Sequence, residues 1–235
     1  MSAAILEVVV TSADEARAAA EGGADRLELA TDMEADGMSP TAAQFERTAA
    51  AVTLPVRVML RDRGGFQAAD LDGLRTRARE LSAAGAEEFV LGFLTPDGAP
   101  DLTAVRAVLD AVPGCRWTFH RALDHAADRT AVRRAIDGLP GLDTVLSAGS
   151  ATGVTAGLPT LLAEAGRRGE PGYTMAVMAG GGLRTTHVPL LRARGVHAFH
   201  VGTAVRQQGW DSPVDPAAVR RWRDLLDAAA GKDAG

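Results

Sequence analysis

The chain has 235 residues, 46% hydrophobic and 23% charged, with one cysteine and a formal net charge of -5. This length suits one domain, and a single α/β barrel runs as one domain at about 200–250 residues. The composition excludes a disordered chain, the acidic balance argues against nucleic-acid binding, and no apolar run reaches the roughly 18 residues of a membrane helix.

In chain order, the opening Met-Ser-Ala-Ala lacks the basic and apolar regions of a signal peptide, and the apolar run Ile5 to Val10 predicts a strand over 4–10. Ser12 with Glu15 three residues on reads as a capping box opening a helix over 12–22. Gly23 then ends that helix, and Ala24-Asp25-Arg26-Leu27-Glu28-Leu29 begins a strand over 25–30. The same pattern of glycine, acidic residue or His, and apolar run returns at Gly85, Gly141 and Gly195. Ser39-Pro40 opens a helix over 40–52. Further strands are predicted over 54–60, 87–93, 115–120, 142–147, 173–179 and 196–202, and further helices over 68–84, 101–112, 128–138, 154–169, 186–194 and 215–230. Eight βα units of about 29 residues with nearly continuous apolar strands favour an α/β fold of one domain over 1–235, a (β/α)8 TIM barrel.

Sites in such barrels sit at the strand C-termini and in the loops that follow. The polar residues there are Glu7, Glu28, Arg61 and Arg63 before Gly64-Gly65, His120 and Arg121, Ser147, Gly180-Gly181-Gly182, and His200 before Gly202-Thr203-Ala204. Glu28 and His200 hold the slot that Val90 and Leu146 fill in sister repeats, so each must find a partner or stay ionised for a purpose. The structural alternative is an internal salt bridge such as Glu28 with Arg61. Arginine forks suit carboxylate or phosphate, and loops after strands 7 and 8 of such barrels often take phosphate. Glu7, Glu28, Arg61, Arg63, His120 and Arg121 are therefore expected to converge on one pocket for a small anionic ligand. Glu7, Glu28 and His120 are its candidate acid/base groups, while Arg61, Arg63, Arg121, Ser147, Gly181, His200 and Gly202 are its candidate ligand contacts. Asp124 is placed to support His120, and His125, His187 and His197 read as surface residues.

Metal spacing is weak, with no Cys-x-x-Cys and no His-x-x-x-His. Glu7, Glu28, His120 and Asp124 would suit a divalent cation such as Zn²⁺ or Mn²⁺. Cys115 reads as a packed residue at the barrel's N-terminal end. Trp117, Trp210 and Trp222 lack the basic interleaving that base stacking needs. A lone cysteine suits a reducing cytoplasm, and a homodimer or higher homo-oligomer is the expected assembly, with no nucleic-acid or membrane partner.

Glu7, the Gly23–Leu29 segment, Gly37-Met38-Ser39-Pro40-Thr41, Arg61-Asp62-Arg63-Gly64-Gly65-Phe66, Thr118-Phe119-His120-Arg121-Ala122-Leu123-Asp124, Leu146-Ser147-Ala148-Gly149 and Met178-Ala179-Gly180-Gly181-Gly182 together resemble the CutC copper homeostasis family. The resemblance implies a TIM barrel, a cytoplasmic location and a link to copper binding and homeostasis, with no firmly assigned reaction. Where many members carry cysteines near the first two strands, this chain has Val9, Val10 and Ala30. Cu(I) prefers thiolates and thioethers, so a thiolate copper site is not expected. The alternative function is a barrel enzyme acting on a phosphorylated or carboxylated metabolite.

Overall fold

The structure is a computed structural model describing residues 4–232. Eight parallel strands close in sequence order into a barrel: β1 (Ile5–Val10), β2 (Arg26–Leu29), β3 (Val56–Met59), β4 (Glu88–Leu91), β5 (Arg116–Phe119), β6 (Leu142–Ser147), β7 (Ala176–Ala179) and β8 (Ala198–Val201). The ring closes where β1 pairs with β8, with Glu7 opposite His200. The helices α1 (Ala13–Gly22), α2 (Ala42–Ala49), α3 (Leu71–Ala83), α4 (Leu102–Leu109), α5 (Arg129–Ile136), α6 (Val154–Ala165), α7 (Val188–Arg192) and α8 (Pro216–Lys232) alternate with them. Each falls within its predicted span, give or take a residue or two. No helix among the described residues is long and apolar enough to cross a membrane.

The two faces of each strand divide the work. Leu6, Val8, Leu27, Val58, Phe89, Phe119, Val145 and Phe199 point outward and join Ala16, Phe45, Leu74, Val105, Ile136, Leu161 and Trp222 in one continuous apolar core. Burying a Leu- or Phe-sized side chain there contributes about 1.5–3 kcal/mol.

The inward faces carry charge instead, which the reading of the strands as nearly continuously apolar did not reveal. Arg57, 1% exposed, donates to Glu88 at 2.9 Å, to Asp143 at 2.7 Å and to the Thr118 hydroxyl. Glu88 also pairs with Arg116, and Glu7 accepts from Arg26. These partnered ions fill the barrel between its N-terminal end and the mouth. Above them lie two small apolar groups, Ala30 with Met59 and Val90, and Leu146 with Met178 and Ala198. Val90 and Leu146 thus face inward, like Glu28 and His200, as the repeat alignment requires.

Two caps differ from the sequence expectation. α2 starts at Ala42, not Pro40, because Thr41 and Gln44 form a reciprocal capping box. Ser39 is freed to fix the end of β3: its hydroxyl donates to the Arg61 carbonyl at 2.9 Å and accepts from the Arg61 N–H at 2.8 Å. At α1, Ser12 accepts from the Glu15 N–H, but the Glu15 carboxylate turns to the Thr11 N–H at 2.8 Å and to Arg206. Arg206 thereby ties the segment after β8 to the start of α1.

Candidate functional site

A cavity of about 390 Å³ opens at the C-terminal mouth of the barrel. Of the residues singled out from sequence, the structure places Glu28, Arg61, His120, Arg121, Gly181, His200 and Gly202 on its wall. Glu7 is fully buried one layer deeper, beneath His200. Ser147 is buried behind the wall, and Arg63 is exposed and stands outside it.

The strand order separates two poles. β5 lies across the ring from β1, and Glu28 and His200 come from the strands flanking β1. His120 and Arg121 come from the end of β5, and Arg61 reaches His120 from the end of β3.

At the first pole, the Glu7 carboxylate is shared between Arg26 and His200 Nδ1, the latter at 2.8 Å. Burial alone would raise the Glu7 pKa, but Arg26 and the His200 hydrogen bond hold it down at about 2. Burial disfavours the His200 imidazolium, yet the facing Glu28 and Glu7 carboxylates outweigh this and raise its pKa. Glu28 is 3% exposed and meets neither a salt bridge nor, at Oε2, a hydrogen-bond donor. Burial and the nearby Glu7 charge push its pKa up against the pull of His200 and Arg61. The internal Glu28–Arg61 ion pair allowed for from the sequence does not form. Among the described residues, Glu7, Glu28 and His200 are the group whose ligand atoms, within 4.8 Å of one another, could hold a metal. The Arg26 guanidinium already occupies one Glu7 oxygen, so this set fits a cation poorly.

At the second pole, Arg61 is 6% exposed and has no carboxylate partner among the described residues. It donates to the Asp36 carbonyl at 2.5 Å and faces His120 Nε2 at 2.9 Å. Burial, with the Arg61 charge beside it, drives the His120 pKa well below its ordinary value, so the imidazole is neutral. The other ring nitrogen, Nδ1, faces the Ala122 N–H at 3.2 Å. A neutral imidazole accepts at one nitrogen only, so His120 cannot serve both donors.

Asp124 does not support His120, as its position suggested. It takes Arg121 at 3.0 Å, Arg129 at 2.7 Å, the Ser147 hydroxyl at 2.7 Å and the Ala148 and Gly149 amides. That hub locks the loop after β5 to the loop after β6 and aims Arg121 into the cavity. Gly181 permits this position: its φ is +90°, and a Cβ there would lie 2.7 Å from the Arg121 Cζ.

Several wall residues were not legible as site residues. Phe66 sits edge-on to His120 at 5.6 Å, under the Arg61 guanidinium at 5.2 Å, and against His125 at 4.5 Å. His125 is exposed, as expected, but it lines the cavity; His187, expected at the surface, is buried. Met33, Asp36, Met59 and Trp210 also line the cavity. Apart from Met59 they lie in irregular segments that no periodicity marks. Cys115 is half-buried just before β5, far from the mouth, and burial raises its thiol pKa to about 11.

Fold and site together define a (β/α)8-barrel protein with a two-poled polar cavity at its C-terminal mouth. Residues 4–205 match the model of the CutC family, and the chain belongs to that family. A family protein CutC of Xanthomonas campestris pv. campestris (strain 8004) is 33% identical over 199 residues, covering 83% of this chain and 81% of the relative. One from Caulobacter vibrioides (strain NA1000 / CB15N) is 32% identical over 203 residues, covering 83% and 80%. Among solved structures, the CutC of Streptococcus agalactiae, named for copper homeostasis, superposes with a TM-score of 0.76 at 22% identity, covering 85% of this chain and 98% of that one. Dihydrodipicolinate synthase DapA-2 of Bacillus anthracis shares the fold at a TM-score of 0.68 and 10% identity, over 99% and 77%.

Proposed function

We propose that this chain binds a small anionic metabolite in the mouth cavity and acts on it by proton transfer, as an enzyme. The observation that carries this is Arg61, a buried guanidinium on a cavity wall that hydrogen-bonds a carbonyl and a neutral imidazole, has the Phe66 ring beneath it, and forms no salt bridge among the described residues. A buried cation without a directly paired carboxylate costs several kcal/mol, and an anionic ligand supplies that partner. Arg121 and the Gly181-Gly182 turn line the same cavity. On the strands flanking β1, Glu28 and His200 supply a carboxyl and an imidazole whose pKa values are both raised, groups suited to proton transfer. Glu7 and Arg26 position His200 from below. The test is calorimetric titration with inorganic phosphate. Wild type should bind it, and Arg121→Ala should weaken binding by about tenfold or more, the equivalent of a lost charge-assisted bond of about 1.5–3 kcal/mol. Failure of phosphate to bind wild type sinks this reading.

A second reading is copper binding, the role carried in the name of the Streptococcus agalactiae relative. The observation favouring it is that Met33, Met59, His120, His125 and His200 all reach the cavity wall, so thioether and imidazole ligands exist without any thiol. Anaerobic competition with a Cu(I) chelator checks it. Stoichiometric binding lost in a Met33→Leu, Met59→Leu double variant, and kept in Cys115→Ala, supports copper; no competition excludes it.

A further inference from the structure

Two wall features remain unused by anion binding at Arg61 and Arg121. The first is Trp210. It is 37% exposed, whereas Trp117 and Trp222 are buried. One face of its indole rests on the Arg206 guanidinium, 4.8 Å from the ring centroid, and Arg206 is itself held by Glu15 at 2.8 Å and by the Ser212 carbonyl at 2.8 Å. The ring also crowds Gly202, where a Cβ would lie 2.6 Å from Trp210 Cη2. The indole is thus anchored, and it lines the cavity together with His200, Thr203 and Ala204. The second feature is Glu28 Oε2, buried on the same side of the mouth with no donor.

We propose that Trp210 is a stacking platform for the ring of a phosphorylated sugar, whose phosphate lies at Arg61 and Arg121 and whose hydroxyls donate to Glu28. This rests on the anion-binding reading above and names its substrate class. An indole face takes either an aromatic ring or the C–H face of a sugar. The orphaned carboxylate decides between them, because a sugar hydroxyl satisfies a buried acceptor and an aryl C–H does not. The cavity of about 390 Å³ accommodates a pentose or hexose phosphate.

The experiment titrates the protein with inorganic phosphate, ribose 5-phosphate, glucose 6-phosphate and phenyl phosphate, followed by calorimetry and by acrylamide quenching of tryptophan fluorescence. Quenching reports Trp210, because the other two indoles are buried. A sugar phosphate should bind at least tenfold tighter than inorganic phosphate and protect Trp210 from acrylamide. Trp210→Ala should remove about three- to tenfold of that margin, Trp210→Phe should keep most of it, and Glu28→Gln should narrow the preference for sugar phosphate over phenyl phosphate. Phosphate binding with no sugar margin, a sugar margin indifferent to both Trp210 variants, or phenyl phosphate binding as tightly as the sugars would each overturn the proposal while leaving the anion site standing. No binding of any phosphate would overturn both.

Discussion

At the scale of single residues, the two cavity histidines work against each other. His120 is kept neutral, so its contribution to stability is present above its ordinary value of 6.5 and is lost as pH falls below it. The His200 pKa is raised, so its contribution is full below 6.5 and is lost as pH rises through its higher folded value. NMR titration should therefore place the His200 midpoint above 6.5 and the His120 midpoint well below it. An ordinary midpoint for either would contradict the charge pattern of its pole. The contrast was half legible in the sequence. Glu28 and His200 stood out because sister repeats place Val90 and Leu146 there. Nothing in the sequence showed that Asp124 would serve Arg121 and the β6 loop rather than His120, since that depends on how two loops meet.

At the scale of elements, the site depends on how closely α6 approaches the loop it follows. Gly157 has no room for a side chain: a Cβ would lie 2.0 Å from the Ala148 carbonyl oxygen, which is backbone and cannot swing aside. Ala148 and Gly149 in turn donate to Asp124, which holds Arg121. Gly157→Ala should push α6 off the barrel, cost more than about 2 kcal/mol by denaturant midpoint, and weaken phosphate binding through Arg121. A variant of wild-type stability would mean that α6 does not set this loop. The helices and strands themselves were readable because apolar periodicity and glycine caps are local. The segments carrying Phe66 and Trp210 were not, because their places depend on tertiary contacts such as those with Arg61 and Arg206.

At the scale of the whole molecule, the barrel interior is held by partnered ions, which the nearly continuous apolar character of the strands did not show. Glu7 contributes to the pH dependence. Its pKa falls from 4.5 to about 2, so its stabilising contribution is full above 4.5 and disappears as pH drops toward 2. That shift corresponds to roughly 3 kcal/mol. Glu7→Gln should lower neutral-pH stability by about that amount and flatten the acid limb of a stability–pH curve. An unchanged acid limb would show that Arg26 and His200 do not depend on this carboxylate.

The same layer of ions has a kinetic meaning. Arg57, Glu88, Thr118 and Asp143 are bonded across the barrel's width, so the cavity above them is a cup with a closed base. Among the described residues, the cavity opens at the rim where Trp210 and Arg121 stand. If the proposed enzymatic reading holds, whatever is made in the cup leaves past the next arrival. A spent molecule that keeps its charged tail then rivals fresh substrate for the same seat, and turnover should slow as it accumulates.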